Sequence, residues 1–154
     1  MFCKKIKYVD FNDVEREEEA WFHFSRAELL ERQMSEYGGF DKTVDAIIKT
    51  NDTPKLIKIF KEFILKAYGV KSSDGRRFMK EDENGRPLWK DFVETQAYSD
   101  YFMLLATDDK AAAEFVNGVM PREMKGDVQK ALEDLRKERE KIESESNIIS
   151  VDNK

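Results

Sequence analysis

Histidine occurs once in this 154-residue chain, cysteine once and proline three times. The lone thiol, Cys3, has no internal partner for a disulfide, which fits a reducing cytoplasm. The lone imidazole, His23, leaves no histidine–cysteine set at the spacing a zinc site requires. No apolar run approaches the roughly 18 residues that mark a membrane span. The opening stretch MFCKKIKYVD is basic but lacks the apolar segment of a secretory signal. Excess positive charge is also missing. With a formal net charge of −5, the chain offers nucleic acid or an anionic membrane no global attraction. The expectation is a soluble intracellular protein with neither as partner.

Charge of both signs and aromatic rings are plentiful. Charged residues make up 38% of the chain, against about 25% in an average soluble domain. Eleven Phe, five Tyr and two Trp supply large apolar surfaces, enough for a core and for contact patches beyond it. After Pro121 the composition changes. Residues 122–154 hold no aromatic, eight Lys/Arg and nine Asp/Glu, so about half of that segment is charged. This divides the chain into a single domain, 1–121, and a charged tail, 122–154, read as partly helical or disordered.

Two β-prone runs, Ile6–Val9 and Ala20–Phe24, flank an Asn-Asp turn within Phe11–Val14 and predict a hairpin. Ser25 and Glu28 form an S-x-x-E capping box, predicting a helix from Arg26 to Tyr37 that Gly38–Gly39 closes. A second helix is expected over Asp41–Thr50. A third starts at Thr53–Pro54 and carries Leu56, Ile57, Phe60, Phe63, Ile64, Ala67 and Tyr68 along one stripe, with Gly69 as its left-handed C-terminal cap. Asn84–Gly85 marks a turn, and Pro87 opens a long helix to about Ala106. Thr107 then caps a short helix whose apolar side is Ala112, Phe115, Val116 and Val119. The expected fold is mainly α (α+β): an N-terminal β-hairpin, about five helices and the charged C-terminal tail.

The segment AYGVKSSDGRRFMK, Ala67–Lys80, superficially suggests a phosphate-binding loop. Such a loop needs four residues between its glycines, then Lys and Ser/Thr, and it follows a strand. Here five residues separate Gly69 from Gly75, Arg76–Arg77 follow, a helix precedes, and Asp74 repels phosphate. A chain turn leading into a short extended piece at Arg76, Phe78 and Lys80 accounts for the pattern better. Asp82–Gly85 lacks the alternation and terminal glutamate of a calcium loop. His23, between Phe22 and Phe24, reads as a half-buried strand residue, and Cys3 as a bystander thiol. No catalytic, metal or cofactor site emerges, so the residues alone point to an interaction protein with its partner unnamed.

Three stretches then carry a resemblance: LIKIFKEFILKAYGVKSSDGRRFMK (Leu56–Lys80), ETQAYSDYFMLLATDDKAAAEFVNGVMP (Glu94–Pro121), and VDFNDVEREEEAWFHFSRAELLE (Val9–Glu31) with Gly38–Gly39 after it. Together, over about residues 5 to 121, the chain resembles the tail assembly chaperones of long-tailed bacteriophages, and the likeness fades after Pro121. The resemblance implies a non-catalytic chaperone that binds the phage tape-measure protein, keeps it soluble and helps the tail tube polymerise. It also implies contact with the major tail tube protein, self-association into a homo-oligomer, a place in the host cytoplasm and absence from the mature virion. A structural tail or head–tail connector component retained in the virion is the alternative. Trp21, Phe22 and Trp89, large rings at the edges of elements, are the candidate partner-binding residues.

Overall fold

The computed structural model describes residues 1–35 and 53–121, together with Lys137, Lys141 and Ser144. The chain divides into two compact units, Met1–Pro121 and Arg122–Lys154. In the second unit the three described residues are helical, and the Ser144 hydroxyl donates to the Lys141 carbonyl at 2.8 Å. The expected helix over Asp41–Thr50, the Gly38–Gly39 closure and most of the tail lie outside the described residues.

The first unit begins with the predicted hairpin. Strands β1 (Phe2–Val9) and β2 (Glu15–Phe22) pair antiparallel along their full lengths, with Phe2 opposite Phe22 and Val9 opposite Glu15. Strand alternation puts Phe2, Ile6, Ala20 and Phe22 on one face, and Lys5, Lys7, Glu17 and Glu19 on the other. Helix α1 (Arg26–Ser35) follows, opened by the capping box as expected. The Glu28 amide donates to Ser25 Oγ at 3.2 Å, and the Ser25 amide donates to Glu28 Oε2 at 2.7 Å. Helix α2 (Thr53–Ala67) buries Phe63, Ile64 and Ala67.

The mainly α expectation is corrected where α2 ends. The chain passes directly into strand β3 (Tyr68–Lys71), which pairs antiparallel with β2 through Tyr68–Phe22 and Gly69–Trp21. It then turns into β4 (Phe78–Met79), which pairs with β3. The result is a four-stranded antiparallel sheet, order β1-β2-β3-β4, and hence an α+β fold. Tyr68 and Gly69 are therefore strand residues, not the last stripe residue and cap of the helix. A Cβ on Gly69 would stand 2.5 Å from a Phe78 ring carbon and 2.6 Å from the Met79 carbonyl oxygen, so the β3–β4 approach needs a glycine.

The segment Ser72–Arg77 is the turn of this second hairpin. The Ser72 amide donates to the Arg77 carbonyl at 2.9 Å, and Gly75 takes the left-handed φ of 71°. Ser72 Oγ donates to Asp74 Oδ1 at 2.6 Å and accepts from the Arg77 amide at 3.0 Å. A second turn at Asp82–Gly85 follows, with Asp82 Oδ1 accepting from the Asn84 and Arg86 amides at 2.8 and 2.9 Å.

The expected long helix from Pro87 is two helices. Helix α3 (Trp89–Val93) stops at Glu94, and α4 (Gln96–Thr107) restarts because Thr95 is an N-cap whose side chain accepts from the Tyr98 amide at 3.1 Å. Asp108, not Thr107, caps α5 (Asp109–Val119), its Oδ1 accepting from the amides of Lys110 and Ala111.

The core is built from rings. Phe22 has no exposed surface; it meets Phe115 edge-on at 5.2 Å between centroids, and Tyr101, Tyr68 and Phe92 at 5.6, 5.8 and 6.0 Å. Tyr68 stacks on Phe92 at 4.2 Å. Main-chain bonds fasten the end of the sheet to two helices: the His23 amide donates to the Ala67 carbonyl at 2.8 Å, and the Phe24 amide to the Val119 carbonyl at 3.1 Å.

Candidate functional site

The three sequence candidates fall in different environments. Phe22 is the centre of the aromatic core. Its neighbour Trp21 sits on the opposite face of the sheet, half-buried, with the Lys71 ammonium 4.7 Å from its ring centroid in a cation–π contact. Trp89 starts α3, also half-buried, and lines an open groove of about 460 Å³ with Phe24, Tyr68, Pro87, Glu28 and Lys80. Trp21 is not part of that groove.

The groove is lined by three rings, by Pro87 and by six charged side chains, Glu31, Arg32, Lys66 and Glu81 joining the Glu28–Lys80 pair. Glu28 reaches it from the first turn of α1, and Lys80 from just beyond β4. The Lys80 ammonium donates to Glu28 Oε1 and also lies 4.8 Å from the Phe24 ring centroid. Burial pulls Glu28 upward, but the Lys80 ammonium and the Ser25 amide outweigh it and hold the carboxyl below its ordinary value. Burial lowers Lys80, only partly offset by Glu28. Three rings set among charged side chains of both signs make a surface that can take an apolar side chain with polar neighbours.

A second surface escaped the sequence reading. The far end of the β1–β2 hairpin is an exposed arm whose tip presents Phe11, 79% exposed, between Val9 and Val14 at 47% and 45%. Asp10 locks that tip. Its Oδ1 accepts from the Asn12 and Val14 amides at 2.8 and 3.0 Å, while Oδ2 accepts from Arg16 Nε at 2.8 Å. The Val14 amide, the Arg16 guanidinium and the Asn12 amide together hold the Asp10 carboxyl below its usual range. Asp13 takes the left-handed φ of 60° that the turn requires. Farther along the arm, the Tyr8 hydroxyl donates to Glu18, which pushes its pKa up to about 12. The signal for it lies in the sequence, an aromatic inside the Phe11–Val14 turn, because a ring in a short tight turn has no core to reach.

Residues once weighed for chemistry occupy other settings. His23 stands edge-on to Phe78 at 5.7 Å; burial lowers its pKa, and its Nδ1 lacks a partner among the described residues. The Cys3 thiol is exposed, and partial burial with Glu19 nearby raises its pKa, away from an activated nucleophile. Arg76 and Arg77 are exposed at the β3–β4 turn, and among the described residues neither has an ion-pair partner. No group of three or more His, Cys, Asp or Glu among the described residues is placed to hold a metal. No described helix is long and apolar enough to cross a membrane.

Among the described residues the chain thus presents a groove of rings and charged side chains, a half-buried tryptophan on the sheet and an exposed apolar tip on the hairpin. The family model for phage tail assembly chaperones matches residues 1–154, so the chain belongs to that family, through Lys154 and not only to Pro121. No curated protein and no solved structure gives a significant match.

Proposed function

We propose that this chain binds the tape-measure protein of its phage, keeps that long client soluble before tube assembly, and helps the tail tube polymerise around it without catalysing a reaction. Family membership supports the tail-assembly setting. The observation that carries the client reading is the Trp89 groove, whose three rings set among six charged side chains of both signs suit the mixed surface of an amphipathic helix. Trp21 adds an apolar face on the sheet, and Phe22 contributes from the core by holding Tyr68 in place. Residues 1–121 form the working domain, and the charged residues 122–154 keep the coated client soluble. The chaperone works in the host cytoplasm, hands its client to the major tail tube protein and is absent from the mature virion.

Co-expression with the tape-measure protein of the same genome tests this. Soluble client that co-purifies with the wild-type chain is expected, and Trp89→Asp and Trp21→Asp should each lower the recovery several-fold while keeping native circular dichroism. A client that stays insoluble and unbound beside the wild-type chain would sink the proposal. Peptides of this chain in purified virions would instead favour the connector role.

A further inference from the structure

Helix α4 has apolar residues on two sides, and the core uses one of them. Ala97, Tyr98, Tyr101 and Leu105 are buried. Ser99, Asp100, Met103, Leu104, Ala106 and Thr107 share the outer side, and all six are exposed. A surface helix ordinarily turns polar residues outward. Here Met103 is 56% exposed and Leu104 38%. Phe102, half-buried beside Tyr98 at 5.9 Å between centroids, extends the apolar surface along one flank.

Carboxylates bracket this apolar spot. Asp100 lies one turn before Leu104 and Asp108 one turn after it. Asp100 Oδ1 accepts from Gln96 Nε2 at 3.0 Å, and Asp108 Oδ1 accepts from the Lys110 amide at 2.9 Å. Both are exposed, and among the described residues neither has an ion-pair partner. From Glu94 to Glu114 the chain holds five carboxylates, Glu94, Asp100, Asp108, Asp109 and Glu114, against Lys110 alone, a net −4. The elements packed on α4 change this little. Helix α3 adds Lys90 and Asp91, which cancel, and the helix-facing side of β1 adds only Lys4, which leaves −3.

We infer that the outer side of α4 docks an α-helix of another protein, one whose apolar stripe is flanked by lysines or arginines. An uncovered helix stripe is matched by the ridges of a second helix. The flexible thioether of Met103 adapts to the side chains it meets. Carboxylates at both ends of the apolar spot attract a basic helix and reject an acidic one or a nucleic acid. The surface is distinct from the client groove, since no α4 residue lines that groove.

A fluorescent helical peptide with leucines along one stripe and lysines beside it is the probe, and a twin with glutamates in place of the lysines is the control. Both are titrated into the purified full chain and read by anisotropy. The lysine peptide is expected to bind at least about tenfold more tightly than its twin, and more weakly as salt screens the exposed charges. Met103→Asp/Leu104→Asp should weaken it by about tenfold or more, with circular dichroism checking the fold. Should that variant unfold, Asp100→Asn/Asp108→Asn replaces it, because asparagine still caps α5, and binding should fall several-fold. Trp89→Asp and Glu15→Lys/Glu17→Lys should bind the peptide like the wild type, which separates this surface from the groove and from the hairpin carboxylates. Equal binding of the two peptides, indifference to the α4 variants, or loss of binding in Trp89→Asp or Glu15→Lys/Glu17→Lys overturns the inference. So does an α4 variant that changes the sedimentation of the chain alone, since a second copy would then be what covers this side.

Discussion

Adjacent residues on a strand lead different lives, and Trp21 and Phe22 are the clearest case. Strand alternation turns Phe22 into the core and Trp21 out toward Lys71. Phe22 touches rings from β1, β3, α3, α4 and α5, so its removal leaves a cavity that no single neighbour fills. Phe22→Ala is expected to cost about 3–5 kcal/mol of stability, read as a fall in the urea midpoint. Trp21→Ala should cost clearly less, because part of that ring already faces water. Equal losses for the two would show that Trp21 holds the sheet together and is not a contact surface. Phe11 completes the residue-scale picture: its value lies in being held still while exposed, a property set by Asp10 and not by its own side chain.

At the scale of elements, local signals were readable and distant pairings were not. The Ser25–Glu28 box places the start of α1, and the Asn-Asp turn places the first hairpin, because each motif closes bonds within a few residues. Strand β3 has four residues and β4 two, too short to show a period, and β3 exists only because β2 offers an edge at Trp21 and Phe22. The same limit explains the broken helix. The apolar stripe runs on from α3 into α4, while the cap at Thr95 depends on one side-chain bond. Of the candidate residues, Trp89 was placed by its position at an element edge, but its groove unites α1, α2, β3, the residues after β4 and α3. Gly69 tests the β3–β4 pairing. Gly69→Ala should shift the Phe78 ring and separate the two strands, lowering hydrogen-exchange protection at Val70 and Ser72 while α4 and α5 stay protected. Unchanged protection at both amides would mean that the second hairpin accommodates a methyl group.

For the whole molecule, the aromatic core fixes the sheet against α4 and α5 and leaves the Trp89 groove and the apolar hairpin tip as separate exposed features. If each copy holds a stretch of client in its groove, many weak contacts act along one long chain, and local concentration raises the avidity of each. That arrangement makes a quantitative demand on stoichiometry. The number of copies bound per tape-measure molecule should rise in proportion to client length, so a client cut to half its helical length should carry about half as many copies. Native mass spectrometry of complexes purified after co-expression with full and shortened clients gives that number directly. Trp89→Asp should lower occupancy on both clients in proportion, because each copy holds the client through its own groove. A copy number that stays constant while the client is shortened would point to one terminal binding site. The chain would then act as a fixed cap on the client.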